Sequence, residues 1–536
     1  MSSRINNDIR YTFDKSRSGE TVPAIALADG DVRPLHSMID PSKEAQRLVS
    51  SIGDMGFLVF LGLGGAFAPK AALKETSAHV LVIDYDRESI KQLLANKDYS
   101  PLLNNSRFCL LVDPSDEKIR DYILENYKPA LYGGIRTIPL RPRIEHDMET
   151  FDNAASVIQK TIEAVSNDYS VQAHFGMRWF SNIIRNIKNA KNINENFISD
   201  KEKNPVNEAA IIAAGPSLDI QMDKIAELKS KNVFLISTDT ALGALLHNGI
   251  IPDAAVSIDC QHISYYHFMN AGRSDTCFNI PLVLDIASPP LLSGFSSSPV
   301  YFSSGHPLAV YSNANWQKLP CLDTSGGNVT YACLSLAQRL GARKITLFAA
   351  DFSYVNSQSY ARGTYIYPYF YKKQNRLAPI ESLFSAFLYR SPFLQPENNE
   401  KQNYRETSSL RFYRKKLEEK AALMDAQIIC APGNGAEIRI SKNENTYTEN
   451  KILYEYGRKQ SGMEFLIQYK NDIKALPAVR NGETYMNGLN SKEKQIATTL
   501  LPCAAAIRKR KADLKQIDLL EETKKLCIRE IEKILD

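Results

Sequence analysis

The sequence predicts an α/β protein in which two doubly wound domains precede a helical carboxyl-terminal module. Two segments, 57–86 and 209–239, share one pattern: an apolar run ends in a glycine-bearing turn, a helix-like stretch follows, and a second apolar run ends in an acid. This order is typical of the start of a parallel sheet covered by helices on both faces, the Rossmann-like arrangement. After about residue 445 strand patterns fade and apolar residues recur at helical spacing.

The same patterns divide the chain into four regions. We expect a Rossmann-like domain at 1–150, a helical connector at 151–204, a central α/β domain at 205–445 and a helical domain at 446–536. The connector is predicted from its helix-period apolar residues and from a near absence of Gly and Pro. Further strands of the central domain are predicted at 254–258, 282–286, 300–303, 345–349 and 427–430.

Composition and charge exclude several classes of protein. The 536 residues are 44% apolar and 23% charged, as in a folded soluble protein rather than a disordered or fibrous one. The longest apolar run, 57–68, is too short to cross a bilayer, so we expect no membrane span. The first 30 residues are polar and lack an apolar signal core, which predicts a cytoplasmic protein.

The cysteines and the basic residues also bear on partners. The 8 cysteines are scattered singly without zinc-ligand spacing, which predicts reduced thiols and no metal site. The net charge of +5 lies in 451–536, where 17 Lys and Arg stand against 12 Asp and Glu. Because these charges alternate in sign, we expect a solvated helical face and no nucleic-acid partner.

The first glycine turn lies at 62–65. It carries the first two glycines of a dinucleotide fingerprint, and Asp84 lies where a ribose hydroxyl would be met. The third glycine position is occupied by Phe67, whose bulk would crowd the helix against the strand. A bound S-adenosylmethionine or dinucleotide is one interpretation. We favour the other, a Rossmann-like domain that keeps the turn without a ligand.

The second glycine turn consists of Gly215, Pro216 and Ser217. It leaves a strand and enters a helix, which places backbone N–H groups and the Ser217 hydroxyl at a helix amino terminus. Such a terminus binds phosphate through its donors and its dipole. The turn is therefore a candidate site for the phosphate or ribose of a nucleotide.

Two strand ends and one further turn are expected at the same edge of the central sheet. Asp239 and Asp259 each follow an apolar run, which places them at the carboxyl edge, where open α/β folds bind ligands. A helix opens after a turn of small residues, in which glycine permits close backbone approach. The candidate binding residues of that turn are Thr324, Ser325, Gly326 and Asn328.

These ordered motifs resemble a known family. The motifs at 215–218, 239–242, 249–259 and 325–330 together resemble the Maf (motility accessory factor) flagellin glycosyltransferases. That family is grouped with the 6-hydroxymethylpterin diphosphokinase MptE-like proteins. The resemblance covers roughly 170–440, and the stretch before it is similar to the Maf amino-terminal Rossmann-like domain.

The Maf resemblance implies a function. It implies transfer of a nonulosonic acid, of pseudaminic, legionaminic or sialic type, from a CMP-activated donor to Ser/Thr hydroxyls of flagellin. Such transfer would support assembly of the bacterial flagellum and motility. It implies flagellin and the CMP-sugar as partners, and no required cofactor; Mg²⁺ is not expected.

The central domain also resembles bacterial sialyltransferases that use CMP-activated sugar, through 215–218, 324–326 and the segment that begins at Asp351. In that group two tyrosines six residues apart hold the leaving phosphate, and Tyr354 and Tyr360 have this spacing. Two phenol donors can stabilise charge on a departing phosphate without a metal. The alternative is that both belong to a tyrosine-rich structural loop.

Two positions depart from the sialyltransferase pattern. The asparagine that precedes Gly-Pro-Ser there is Ala214 in this sequence. The histidine base of that group would fall near Glu406 and Thr407, so Glu406 is the predicted carboxylate base. Three histidines near the sheet edge are alternative proton acceptors that we expect to be structural: His262, His267 and His306.

The predicted mechanism is inverting transfer, in which an acceptor hydroxyl attacks the anomeric carbon as CMP leaves. A second interpretation is a pterin diphosphokinase that uses ATP and Mg²⁺ held by Asp239, Asp259 or Asp351. The sequence contains no Walker-type Gly-Lys-Ser/Thr motif. A third interpretation is a non-catalytic assembly factor that binds flagellin through the helical carboxyl terminus.

Overall fold

The computed structural model describes residues 11–26, 32–53, 55–190, 196–269, 279–394, 404–441, 457, 459–478 and 485–536. The chain forms two compact units. Unit 1 comprises Met1–Met177 and Asp472–Arg529, and unit 2 comprises Arg178–Asn471 and Glu530–Asp536. Within the described part of the chain, every helix is too short or too polar to cross a lipid bilayer.

Unit 1 contains two sheets. An antiparallel sheet consists of β1 (Tyr11–Lys15), β2 (Thr21–Ala26) and β3 (Val32–Pro34). A parallel sheet in the order β6-β5-β4-β7 consists of β4 (Met55–Leu61), β5 (His79–Asp84), β6 (Phe108–Val112) and β7 (Gly134–Pro139). β5 is buried along its whole length because helices cover the sheet, which is why its sequence is a continuous apolar run. The predicted Rossmann-like pattern is confirmed here.

The helices of the amino-terminal half of unit 1 are short. They are Pro41–Ile52, Phe67–Glu75, Arg87–Asn96, Ser100–Leu103, Asp116–Asn126, Pro129–Tyr132 and Arg141–Ile144. The predicted connector begins earlier, as a single helix of 42 residues, Met148–Asn189. That helix starts in unit 1 and ends in unit 2.

The carboxyl-terminal helices do not form a unit of their own. The 3₁₀ helix Tyr485–Gly488 and the helix Ser491–Arg510 lie in unit 1, and so does most of Gln516–Leu535. The physical reason is close packing: a Cβ added at Gly176 would lie 2.1 Å from the Pro502 carbonyl oxygen. The structure thus groups 472–529 with the amino-terminal residues, whereas we predicted a separate helical domain at 446–536.

Unit 2 is built on a seven-stranded parallel sheet in the order β12-β11-β10-β9-β8-β13-β16. An antiparallel ribbon, β14-β15, lies apart from it. The five strands predicted beyond residue 250 are confirmed to within one residue at either end. The strands are β8 (Glu208–Ile212), β9 (Phe234–Thr238), β10 (Ala254–Ser257), β11 (Leu282–Asp285), β12 (Pro299–Phe302), β13 (Lys344–Phe348), β14 (Tyr354–Val355), β15 (Tyr404–Arg405) and β16 (Gln427–Cys430).

Helices cover both faces of this sheet. The helix Val329–Arg339 is buried along most of its length and packs against β8, β9 and β10. Chain order reverses between β8 and β13, which makes the carboxyl ends of these two strands the topological switch point. The other helical segments are Asn196–Lys203, Leu218–Ser230, Asp239–His247, Ile263–Met269, Pro290–Phe295, Pro307–Asn315, Ile366–Lys373, Ile380–Leu388, Ser408–Leu423 and Gly462–Ala475.

Candidate functional site

The turn after β8 is locked to the loop after β13 at the switch point. The Ser217 amide donates to Asp351 Oδ2 at 2.8 Å, and the Ser217 hydroxyl accepts from the Asn434 amide at 2.9 Å. A Cβ on Gly215 would lie 2.4 Å from the same Asp351 oxygen. Protein groups therefore already occupy the helix amino terminus where we predicted a phosphate. Burial raises the pKa of Asp351, although the hydrogen bonds from Ser217 oppose that shift.

Asp239, directly after β9, is fully buried and both of its carboxylate oxygens have partners. Oδ2 accepts from Ser257 Oγ at 2.7 Å, and Oδ1 accepts from the Thr240 amide at 2.7 Å. Oδ1 also lies 3.3 Å from His267 Nδ1. Burial alone would raise the pKa of Asp239, but His267 and these hydrogen bonds outweigh it and lower the pKa. Asp239 supports the edge from beneath and does not line it.

Asp259, beyond the end of β10, remains partly exposed. Its Oδ1 accepts from the Gln261 amide at 2.9 Å. Burial raises the pKa of Asp259, and the neighbouring Asp239 charge raises it further. Of the predicted strand-end carboxylates, Asp259 is the one that faces solvent at this edge.

The turn before the helix Val329–Arg339 is ordered by one aromatic side chain. A Cβ on Gly326 would lie 2.2 Å from the Tyr331 ring, and the Tyr331 hydroxyl donates to Asp323 Oδ2 at 2.6 Å. Asn328 caps the helix by accepting from the Tyr331 amide at 3.0 Å. Ser325 is exposed on this turn and Thr324 is partly exposed. The predicted turn is therefore accessible.

The charge of Asp323 is part of this arrangement. Burial works against its ionisation, but the Tyr331 hydroxyl, Ser325 and Lys420 together bring the pKa of Asp323 to about 2. The Lys420 ammonium lies 3.1 Å from Asp323 Oδ2. Asp323 is therefore ionised at neutral pH, and it holds the turn through the Tyr331 hydroxyl and the Lys420 ammonium.

Tyr354 and Tyr360 lie close enough to interact electrostatically. Tyr354 belongs to the ribbon β14-β15, whereas Tyr360 contacts Tyr365 with a ring-centroid distance of 6.1 Å. Burial raises the pKa of Tyr360 to about 12, and the Arg390 charge opposes that shift. Tyr360 therefore remains a protonated donor at neutral pH, with a cation nearby.

Three further residues of this region belong to no sequence motif that predicts a role for them. Tyr413 interacts electrostatically with both Tyr360 and Asp259, and its ring borders Gly327. Arg390 stacks on Phe387 with its guanidinium carbon 3.9 Å from the ring centroid. Tyr365 was visible only as one member of a tyrosine-rich stretch. Tertiary proximity alone distinguishes these residues from their neighbours.

Glu406, the predicted base, is held by two arginines. Its Oε2 accepts from Arg411 Nε at 2.8 Å and its Oε1 accepts from Arg414 Nη2 at 3.0 Å. Each carboxylate oxygen of Glu406 thus has a guanidinium partner, and the side chain is little exposed. Its contacts join β15 to the helix Ser408–Leu423 and do not support the predicted role.

The carboxylates proposed for a metal do not converge. Asp239 is paired with His267, and Asp351 caps the helix that follows Ser217. Across the ranges that the structure describes, no three His, Cys, Asp or Glu side chains are grouped so that they could hold a metal ion. Cys277 lies outside the described residues.

In unit 1, the acid at the end of β5 is Asp84, and it is not accessible to solvent. Asp84 is fully buried, lies 3.0 Å from Arg143 Nε and accepts from the Leu63 amide at 2.7 Å. Burial raises the pKa of Asp84, and the Arg143 charge opposes that shift. No ribose can reach this carboxylate without displacing the arginine.

Side chains also fill the glycine turn of unit 1. The Gly65 amide donates to His36 Nε2 at 2.8 Å, and a Cβ on Gly64 would lie 2.6 Å from Leu140. Burial, together with the Lys97 charge, lowers the pKa of His36 to about 3, so it stays a neutral acceptor. These contacts favour the ligand-free interpretation of this turn.

Comparisons with known proteins agree with this architecture. Residues 181–357 match the family model described as 6-hydroxymethylpterin diphosphokinase MptE-like. Two uncharacterized proteins of Treponema pallidum (strain Nichols) are 40% identical over 155 residues and 31% identical over 144 residues. Each match covers 27% of this chain, and the chain spans 55% and 66% of the length of these relatives.

A solved structure extends the likeness to the whole chain. The structure of a Maf glycosyltransferase from Magnetospirillum magneticum AMB-1 covers 99% of this chain, and 91% of that protein is covered in turn. The TM-score is 0.55 at 12% sequence identity, so the shared property is the fold. The chain therefore matches an MptE-like family model over 181–357 and shares its α/β fold with a protein named a Maf glycosyltransferase, in line with the resemblance of its motifs.

Proposed function

We propose that this chain is a glycosyltransferase that moves a nonulosonic acid from a CMP-activated donor to Ser/Thr hydroxyls of flagellin. The fold it shares with a protein named a Maf glycosyltransferase supports the reaction class. The observation that carries the proposal is the grouping of Tyr354, Tyr360 and Arg390, two phenol donors and a cation, beside the switch-point edge. Such a group suits a departing phosphate.

Each part of the edge has a role in this proposal. The exposed Ser325 and the backbone at Gly326 contact the nucleotide, and Asp259 accepts a hydrogen bond from it. Tyr354 and Tyr360 donate to the phosphate as the bond to the anomeric carbon breaks, and Arg390 offsets the charge that develops. The protein thus binds, orients and neutralises, and the acceptor hydroxyl displaces CMP with inversion.

Tyrosine-to-phenylalanine variants test the proposal. Tyr354→Phe and Tyr360→Phe each remove one donor and keep the ring. We expect transfer to fall by about 10² to 10³, while affinity for CMP falls much less. The measurement is transfer of sugar to flagellin, read by intact mass, with and without EDTA. Tyr371→Phe is the matched control, because Tyr371 lies in the same tyrosine-rich stretch and is 58% exposed.

A second function has a specific observation behind it, namely the pterin diphosphokinase description of the matching family model. That function requires ATP and carboxylate-bound Mg²⁺. Thermal stabilisation by CTP or CMP, by ATP with Mg²⁺ and by S-adenosylmethionine separates the candidates. Full inhibition by EDTA with unchanged rates in both tyrosine variants would favour the kinase. Flagellin binding without any nucleotide response would favour an assembly factor.

A further inference from the structure

A buried carboxylate holds one histidine at the carboxyl edge of unit 2. His267 Nδ1 lies 3.3 Å from Asp239 Oδ1 and 3.5 Å from the Thr240 hydroxyl. Asp239 cannot turn away, because its other oxygen accepts from Ser257 at 2.7 Å. The carboxylate therefore holds the imidazole in place through Nδ1. Nε2, on the opposite side of the ring, points away from Asp239.

We propose that His267 Nε2 accepts the proton of the acceptor hydroxyl and that Asp239 is the residue that positions it; this rests on the proposed transfer function. A carboxylate bound to one imidazole nitrogen fixes the tautomer in which the other nitrogen is a free acceptor. It also stabilises the imidazolium that forms. Asp239, predicted as a nucleotide contact, thus acts through the histidine.

The proton and electron pairs balance in this step. The acceptor O–H bond breaks and its proton passes to His267 Nε2, while the oxygen forms a bond to the anomeric carbon. The bond between that carbon and the phosphate oxygen breaks, and its electron pair leaves with CMP. The imidazolium then loses its proton to solvent, so donor and hydroxyl give glycoside, CMP and a proton.

The histidine lies beside the residues assigned to the leaving group. The His267 ring is 4.4 Å from the Tyr365 ring between centroids, and the Tyr365 ring is 6.1 Å from that of Tyr360. The Tyr365 ring therefore contacts both the proton acceptor and the tyrosine assigned to the phosphate. A sugar whose phosphate meets Tyr360 would lie close to His267 for this reason. An in-line displacement needs the entering and leaving oxygens on opposite sides of one carbon, and this spacing permits it.

The other candidates lack one of these properties. Both oxygens of Glu406 are taken by guanidinium groups. His306 is also near a buried acid, but its Nε2 is 3.8 Å from Asp285 and its ring stacks on Trp179 at 4.1 Å.

The test measures single-turnover transfer and CMP affinity in three variants. We expect His267→Ala to lower transfer by about 10² to 10⁴ while the Kd for CMP changes little, and added imidazole to restore part of the rate. Asp239→Asn should lower transfer by about 10² or more, because the amide favours the wrong tautomer. His247→Ala is the control, since His247 is exposed at the far end of the helix that Asp239 begins.

The pH profile gives a readout that a structural role would not move. Among the residues that the structure describes, the titratable groups that face His267 are the Asp239 and Asp259 carboxyls and the Tyr365 phenol. In the wild type the transfer rate should fall on the acid side of its pH profile, as for any reaction that needs a general base. His267→Ala assayed with imidazole should instead follow the titration of the added base.

The outcomes separate the two proposals. Transfer by wild type with an unimpaired His267→Ala, or an impaired variant that imidazole does not rescue and whose CMP affinity is lost, overturns the assignment of His267 alone. Absence of sugar transfer by the wild type overturns the proposed function and this assignment with it. Selective loss in His267→Ala and Asp239→Asn, with His247→Ala unchanged, supports both.

Discussion

Both units place a glycine turn at the switch point of a parallel sheet, after β4 in unit 1 and after β8 in unit 2. Protein groups fill both turns, His36 in one and Asp351 in the other. In both units the strand next to the turn leads into a buried acid, but the partner of that acid differs: Asp84 is paired with an arginine, Arg143, whereas Asp239 is paired with a histidine, His267. Such a turn is therefore a property of this fold, and the partner of the strand-end acid is the better guide to a site.

The largest effect is expected from opening the sealed edge. Arg143→Met leaves the Asp84 carboxylate buried without its cation, and loss of one partner of a buried pair costs about 3 to 5 kcal/mol. We expect faster amide hydrogen exchange across β4–β7 and unchanged exchange across β8–β13. Arg141→Met is the control, because Arg141 is exposed in the same short helix.

The deficit of Arg143→Met should depend on pH with a defined sign. Burial raises the pKa of Asp84 in the folded chain, and removing Arg143 takes away the charge that opposes this. A carboxyl of raised pKa favours folding below its unfolded-state pKa of about 4 and loses that contribution as pH rises through the folded value. The deficit should therefore be smallest near pH 4. A deficit independent of pH would show that the pair contributes only packing.

A smaller effect is expected at the second glycine turn. In Gly215→Ala the new Cβ would lie 2.4 Å from Asp351 Oδ2 and 2.5 Å from the Ala349 carbonyl oxygen. Overpacking of this kind costs about 1 to 3 kcal/mol. Chemical denaturation should show that loss, with exchange rising across β8–β13. Gly294→Ala has no atom within 4 Å of its new Cβ and should be close to wild type.

The smallest effect is expected on the open edge of unit 2. Ser325→Ala removes one exposed hydroxyl from the turn that Tyr331 orders. Loss of one hydrogen bond to the nucleotide costs about 1 kcal/mol, or roughly fivefold in the Kd for CMP, with Tm unchanged. Calorimetry measures this. Unchanged affinity in Ser325→Ala and a loss in a variant of the His36 turn would move the nucleotide to unit 1.

The sheet of unit 2 was predictable because burial on both faces makes parallel strands into continuous apolar runs. The strand predicted at 427–430 and that predicted at 345–349 lie side by side in the sheet. The grouping of 472–529 with unit 1 was not predicted, because it depends on packing between distant segments. Its one signal was Gly176, an isolated glycine inside a helical pattern, which usually has a packing reason.

The site was predictable as an edge but not as a set of contacts. Sequence order places Asp239 and Asp259 at the carboxyl ends of adjacent strands, yet one is buried and the other is open. The partners of each carboxylate decide whether it is buried. Asp239 pairs with His267 and Ser257, and both residues belong to elements that follow it in the chain. The two arginine partners of Glu406, the predicted base, are likewise visible only after folding.

A ribosome delivers β8 to β12 in the order in which they lie side by side, so each new strand can add to the edge of the one before it. The other edge of β8 stays unpaired until β13 has been synthesised. The Ser217 amide likewise has no Asp351 to bind until the ribosome has added another 134 residues. At a synthesis rate of about 5 to 20 residues per second, that wait lasts on the order of ten seconds. An unpaired edge of an apolar strand invites pairing with other chains. The nascent chain is therefore most open to pairing with other chains during this interval.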